Sequence, residues 1–598
     1  MSKELITRDQ VRTEDTWNLQ DLYQSTADWE ADLTTISDLL DQLTAMEGQV
    51  TSSADNLLHT LELSAQISEK LEYAFCYAER LFDQDQGNTT HQAMSQRMFG
   101  LYAQVGAAAA FVDPELLACS QDTLDRYYAA CPGLELYRLQ IEETFRLAAH
   151  TLPAEAERIV AMTAEMGNTP SEIFSAFTNV DMVFPSILDA DGQEVRITNG
   201  RFTQLLESPD RRVRRETFEK YYSVFKQSLN TLAATYKGEV KQRVFTSRVR
   251  GYASNLEAAV DANNVSPQVY ENLLSTVDAN VDKLHRYVAL RKKCLGLDEL
   301  HMYDIYTPMI ADAAQPVTYQ EAQETILSAL SVLGEDYTAL LREGFENRWI
   351  DVYENQGKRS GAYSATAYGC HPYMLLNYDN TLNSMFTLAH EMGHSIHSHY
   401  SNSAQPYIYS NYRIFVAEVA STCNEILLLE YLLKNCTDKR QRAYLLNHYL
   451  DSFKGTVYRQ TQFAEFEKIT NEMVEQGQSL NAENLSALYK QINEKYYGPD
   501  MISDEEIAYE WARIPHFYYN FYVYQYATSF CAASAIAERI LTEGAPAVAD
   551  YKRFLSSGCT AAPVDLLKIA GVDLTTPAPI QTALDKFASI IDDLTSLV

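Results

Sequence analysis

Residues 381–400 read TLNSMFTLAHEMGHSIHSHY. Asn380 or Thr381 can cap a helix start, and Leu382, Met385, Ala389, Met392 and Ile396 recur at helical spacing, so the stretch predicts a helix. On it His390 and His394 stand four apart. Side chains at i and i+4 leave one face a turn apart, so both imidazoles can meet a single Zn²⁺ at about 2.0 Å. Glu391 lies about 100° round the helix, placed to reach a water on such an ion rather than the ion itself. The spacing is the H-E-x-x-H pattern of zinc peptidases. The competing reading, a histidine pair hydrogen-bonded in a core helix, is decided by whether a third ligand exists.

A catalytic zinc takes three protein ligands and keeps one position open. The metzincin extension would put Gly at 397 and His at 400, but His397 and Tyr400 stand there, which excludes that branch. The next helix offers another donor. Residues 414–433, IFVAEVASTCNEILLLEYLL, are apolar enough to demand burial, yet carry Glu418, Ser421, Thr422 and Glu425 on one stripe. Buried carboxylates need a partner. Glu418 is the expected third ligand, and Glu425, two turns on, is expected to orient a ligating histidine. His397, on nearly the same face as the ligands, is expected behind them or in the core, because one straight helix cannot aim three imidazoles at one tetrahedral ion. His399 is expected at the surface.

Working outward, residues 361–378 (GAYSATAYGCHPYMLLNY) lack a helical period and predict two short strands. Around Asp191-Gly192, residues 183–198 alternate as in a hairpin. From Trp17 to about Arg146 the chain reads as antiparallel helices, with Tyr73, Phe75 and Tyr77 as core packing. The basic run Arg211–Arg215 reads as a solvated helix face. The fold expected is mainly α: a multi-helical body with a small β-sheet beside the zinc helix. Two regions are expected, 1–200, helical and ending in the hairpin, and 201–598, carrying the zinc helix (381–400) and the glutamate helix (412–434).

The 598 residues carry 81 acids against 48 bases, a formal charge of −33. Such a field repels phosphate backbones and anionic lipid, so neither nucleic acid nor a membrane surface is an expected partner. Nine cysteines, odd in number and without a C-x-x-C pair, read as reduced thiols. The first residues lack a secretory or transit pattern, and residues 526–541 are too short and too charged for a membrane span. The expected compartment is the cytoplasm.

With these motifs in hand, the sequence resembles the oligoendopeptidase F group of the thimet-oligopeptidase-like family of zinc metallopeptidases. The likeness covers most of the chain. It is carried by TWNLQDLY, LHMYDIYTPM, KRSGAYSATAYGCHPYMLLNY, FTLAHEMGHSIHSHY, FVAEVASTCNEILL, RIPHFYYNFYVYQYATS and FLSSGCTAAPVDLLKIAGVDLTTP. The resemblance implies a helical body around a deep channel that admits short unstructured peptides. It implies one zinc per chain on His390, His394 and Glu418, with Glu391 as general base. It further implies substrate binding by the strand before the zinc helix, taken as Tyr373 to Tyr378 with Tyr373, Leu375, Leu376 and Asn377 as contacts; added strands bind through backbone and make little sequence demand. Family members also hold the oxyanion with a histidine followed by tyrosines, here His516 with Tyr522 first and Tyr526 further. Tyr518, Tyr522 and Tyr526 share a face if that segment is one helix. The thimet branch has another tyrosine seven residues after the first; Ser529 stands here.

The reaction these residues imply is metal-assisted hydrolysis of internal peptide bonds. Two other readings use the same motif. A zinc carboxypeptidase or peptidyl-dipeptidase would need a cationic anchor for a terminal carboxylate, for which Arg413 or Arg513 could serve. A non-catalytic peptide binder with structural zinc would ordinarily show four protein ligands.

Overall fold

Apolar residues at helical spacing fold most of this chain into helices, and the computed structural model describes residues 5–310 and 316–598. Among the described residues there are seven short strands: β1 (Ser186–Leu188), β2 (Glu194–Arg196), β3 (Leu300–His301), β4 (Ile350–Asp351), β5 (Tyr363–Ala365), β6 (Tyr373–Leu375) and β7 (Met501–Ile502). The mainly-α expectation holds. No described helix is long and apolar enough to cross a membrane.

Contacts group the chain into two units. One comprises Met1–Thr151, Gln315–Leu428 and Ile536–Gly571; the other Leu152–Ala314, Leu429–Ala535 and Val572–Val598. This grouping cuts the chain at other places than residue 200, because packing follows the apolar faces of helices rather than chain order. The hairpin is present, β1 pairing antiparallel with β2 and Gly192 supplying the positive φ of its turn. It lies inside the second unit.

In the first unit the helices Thr26–Thr44, Ala54–Gln84 and Thr89–Ala108 pack a core of Trp29, Ile36, Leu40, Leu43, Ile67 and Leu71. Tyr73 and Tyr77 set their rings edge-on to Tyr23, and of the expected core stripe Tyr77 is buried and Tyr73 half-buried, while Phe75 turns to the exposed rings of Phe99 and Tyr102. The sheet of this unit has the order β4-β6-β5, with β4 parallel and β5 antiparallel to β6. Its central strand is fully buried: Trp17 meets Tyr373 edge-on at 6.4 Å, and the Tyr373 hydroxyl donates to the Asn18 carbonyl.

The second unit is built on buried tyrosines, a residue the chain has 40 of. A buried phenol needs a hydrogen-bond partner. Tyr270 donates to the Ala464 carbonyl at 2.7 Å, Tyr287 to Asp451 at 2.6 Å and Tyr489 to Glu510 at 2.5 Å. One expectation fails here. The Arg211–Arg215 run is not simply a solvated face: Asp304, fully buried, holds Arg214 at 2.8 Å and Arg211 at 2.9 Å. Charge alternation along the helix could not reveal a carboxylate 90 residues away.

Candidate metal centre

The motif helix runs Leu382–Ala404, opened by Thr381, whose hydroxyl accepts from the Ser384 N–H. Met385, Leu388, Ala389, Met392 and Ile396 are buried and fix its rotation, leaving His390 and His394 together on its flank. The glutamate helix runs Ile414–Asn435. The two helices touch backbone to backbone at Gly393, where a Cβ would come within 2.5 Å of Ser421 Cα and 2.8 Å of both the Ala420 carbonyl oxygen and Ser421 N. All three are main-chain atoms, so nothing flexible can yield. This approach brings Glu418, one turn before Ser421, to the histidines. Asn424 ties the pair further by donating to the Ala389 carbonyl at 3.1 Å while accepting from Tyr337 at 2.8 Å. Gly393→Ala must force the helices apart; we expect a loss of about 2 kcal/mol or more and a metal affinity lowered together with melting temperature, read by calorimetry and zinc titration.

His390 Nε2 lies 3.3 Å and His394 Nε2 3.6 Å from Glu418 Oε2, and the two nitrogens are 3.2 Å apart. Four-coordinate zinc with bonds of 2.0–2.1 Å has ligand–ligand edges of about 3.4 Å. The three atoms therefore already stand at the corners such an ion requires, and they form the only His/Cys/Asp/Glu group of this kind among the described residues. The donor chemistry agrees. Two imidazole nitrogens and a carboxylate oxygen facing one point repel or compete for a single proton, and a divalent cation satisfies all three.

Other groups surround this point. His390 Nδ1 is 2.6 Å from Glu425 Oε1, which holds a proton on Nδ1 and leaves Nε2 as the nitrogen facing the site. The Ser421 hydroxyl donates to Glu418 Oε2 at 3.2 Å. Burial would lower the His390 pKa, yet Glu418 and Glu425 outweigh it and raise it well above the ordinary value. Burial also works against the Glu418 carboxylate, but hydrogen bonding and charge from His390 and His394 hold it near 2. Glu391 is buried beside them, and burial pushes its carboxyl up to about 7 against the pull of His390. A cation at the triad would draw it back down.

His397 is in the core, stacked on Tyr412 at 3.7 Å, and outside the ligand group. Burial, helped by His394, lowers its pKa to about 3. Because the folded pKa lies below the unfolded value, the protein gains stability above about pH 6.5 and loses it progressively towards pH 3. At pH 5 the loss is about 2 kcal/mol. His397→Phe, which keeps the stacking, should flatten the fall in melting temperature between pH 7 and 5; an unchanged slope would remove His397 from the account. His399 is half-buried against Trp349 rather than at the surface.

The expected substrate strand needs correction. Both edges of β6 are occupied: Met374 and Leu376 N–H donate to Trp349 and Asp351 carbonyls, and the other edge pairs with β5. Tyr373, Leu375 and Leu376 are buried, while the Asn377 amide donates to the Arg359 and Gly361 carbonyls. A peptide cannot add to β6. The strand on the side of the motif helix is β5, in the same sheet: Ser364 hydrogen-bonds through its hydroxyl to Ser395 at 2.8 Å and through its backbone to the Glu391 carboxylate. The sequence signalled two strands but not which lay outermost, since that depends on β4 far upstream.

In the second unit, His516 lies on a 3₁₀ turn (Pro515–Tyr518) and Tyr526 on the helix Tyr524–Glu543. The segment is therefore not one helix. Asn520 and Phe521 take left-handed φ of 48° and 58°, and this reversal gathers His516, Tyr522 and Tyr526: ring centroids are 6.5 Å and 6.0 Å from His516 and 5.4 Å between the tyrosines. All three are partly exposed. Tyr518 turns inward and stacks on Phe174 at 4.5 Å. It is core. Arg413 and Arg513, considered as carboxylate anchors, are engaged elsewhere, the first with Glu143 at 2.9 Å and the second with Glu510 at 2.8 Å and the Tyr222 hydroxyl.

Comparison with known proteins is consistent along the whole chain. The profile of peptidase family M3 matches residues 204–586, and that of oligopeptidase F matches residues 115–184. The sequence is 46% identical to oligopeptidase PepF of Bacillus subtilis, covering 100% of this chain and 89% of that protein. It is 40% identical to group B oligopeptidase PepB of Streptococcus agalactiae, over 97% of each. Among solved structures, oligoendopeptidase-F from Enterococcus faecium superposes with a TM-score of 0.76 at 38% identity, covering 96% of this chain and 99% of that one.

Proposed function

The chain belongs to peptidase family M3, a family of metal-dependent peptidases, and we propose that it is a zinc endopeptidase that cuts internal bonds of short unstructured peptides with Glu391 as general base. The observation that carries this reading is the set of three ligand-atom separations, 3.2, 3.3 and 3.6 Å, which suits one tetrahedral ion. His390, His394 and Glu418 would hold it. Zinc bound there supplies Lewis acidity, lowering the pKa of a water and polarising a carbonyl. Glu391 takes a proton from the attacking water on its carboxylate and delivers it to the departing amine nitrogen. Glu425 keeps the His390 proton on Nδ1, and Ser364 steadies the Glu391 carboxylate through its backbone. Tyrosine and histidine donors, His516, Tyr522 and Tyr526, are assigned by family resemblance to the substrate's carbonyl oxygen as it gains charge.

The engaged states of Arg413 and Arg513 support the endopeptidase over a carboxypeptidase or dipeptidase, which needs a cation free for the terminal carboxylate. The net charge argues against nucleic acid and anionic membrane as partners, and nine unpaired thiols suit the reducing cytoplasm. The test is hydrolysis of an internally quenched peptide of about nine residues with both ends blocked, with mass spectrometry of the products. Internal cleavage abolished by 1,10-phenanthroline and restored by zinc is the expected result. No cleavage of the blocked peptide, with cleavage of one bearing a free C-terminus, would favour the exopeptidase.

A further inference from the structure

Asn520 and Phe521 adopt a backbone conformation that a Cβ disfavours, and Phe521 is buried, so glycine could not replace it without leaving a void. Such residues persist where their surroundings over-determine them. Here the surroundings are specific. The Phe521 N–H donates to Glu467 Oε1 at 2.5 Å. Glu467, on the helix Arg459–Glu475, is 2% exposed. One turn further along that helix Asn471 donates to the Glu467 carbonyl at 2.9 Å, and its side-chain oxygen accepts from Asn255 at 2.8 Å. The same Asn255 amide donates to Asn520 Oδ1 at 2.8 Å. Both left-handed residues are thus gripped, one through its backbone and one through its side chain, by groups outside their own segment.

We propose that Glu467, backed by Asn471 and Asn255, is a positioning residue for the reaction: it holds the Asn520–Phe521 reversal that gathers His516, Tyr522 and Tyr526 into one cluster. The proposal rests on the assignment of that cluster to the substrate carbonyl. Glu467 touches neither substrate nor ion and acts only through the turn. Its second carboxylate oxygen has no hydrogen-bond partner, and burial pushes the carboxyl up to about 8 against the Phe521 N–H and Arg243, with Glu239 adding to the rise. Glutamine, which retains an oxygen for the Phe521 N–H, is therefore the conservative replacement.

Groups displaced from a reacting atom by about 1 Å can lose on the order of 100-fold in rate. Glu467→Leu is expected to lower kcat by roughly 10–100-fold with KM within about twofold and metal content unchanged, since a donor used in the transition state moves kcat alone. Glu467→Gln should restore most of kcat. In a Tyr522→Phe background Glu467→Leu should add less than its full loss, because part of what it displaces is already gone. Asn255→Ala, a milder loosening at the other end of the grip, should lower kcat several-fold and serves if the leucine variant does not fold. A folded Glu467→Leu enzyme with unchanged kcat, a loss that adds fully to that of Tyr522→Phe, or an Asn255→Ala enzyme with unchanged kcat overturns the proposal. If His516→Ala and Tyr522→Phe themselves keep full kcat, the assignment of the cluster fails instead, a result the single variants distinguish.

Discussion

Glu391→Gln should lower kcat about 10³–10⁴-fold, towards the upper end of what a positioned general base contributes, while the protein still binds one metal ion per chain. Glutamine matches the carboxylate in shape and can still accept a hydrogen bond from the Ser364 backbone, so the local packing survives. What it lacks is a proton acceptor. Glu391 stands beside a ligand but is not one of the three atoms that converge, so metal analysis of the purified variant should match wild type, with KM little changed. A Glu391→Gln enzyme that turns over substrate at the wild-type rate would falsify the general-base assignment and leave the metal assignment untouched.

His394→Ala is expected to be as severe for a different reason. It removes one of three donors, leaving His390 and Glu418 3.3 Å apart with no third corner. Losing a group that merely orients a ligand costs about 10–100-fold in metal affinity, so losing the ligand itself should cost more than about 100-fold. The variant should be isolated without metal and show no cleavage at micromolar zinc. Its fold should be kept, because the contact of the two helices rests on Gly393, Ser421 and Asn424 rather than on the imidazole. Isothermal titration with zinc and a thermal melt separate the two statements; wild-type affinity in a folded variant would mean that His394 is not a ligand.

The grouping of His390, His394 and Glu418 was legible in the sequence because each part of it is local. An i, i+4 histidine pair, an acid beside the first histidine and a stripe of acids on an apolar helix are fixed by helix geometry alone, and helices keep their geometry wherever they dock. Glu425 was readable for the same reason. What escaped depends on partners distant in the chain. The outermost strand is β5 and not β6 because β4, more than twenty residues upstream of β6, takes the other edge. Arg214 is buried because Asp304 reaches it. Whether the segment around His516 forms one helix was left conditional by the sequence, and it is the grip of Glu467 and Asn255 on the Asn520–Phe521 pair that turns it back. Strand order, buried ion pairs and enforced left-handed residues are tertiary decisions, and periodicity carries no record of them.

The division of each unit among three separated stretches has a consequence for biosynthesis. The first stretch of the first unit ends at Thr151, but that unit is closed only by Ile536–Gly571, roughly 400 residues later. At the usual 5–20 residues per second, the early helices emerge from the ribosome roughly 20–80 s before their last partners. During that interval the early helices can cover one another but the unit as a whole stays open, and contacts so remote along the chain make folding slow. A nascent chain of this kind is a natural client for chaperones that shield hydrophobic surface, and premature termination anywhere before residue 536 leaves both units without their closing segments.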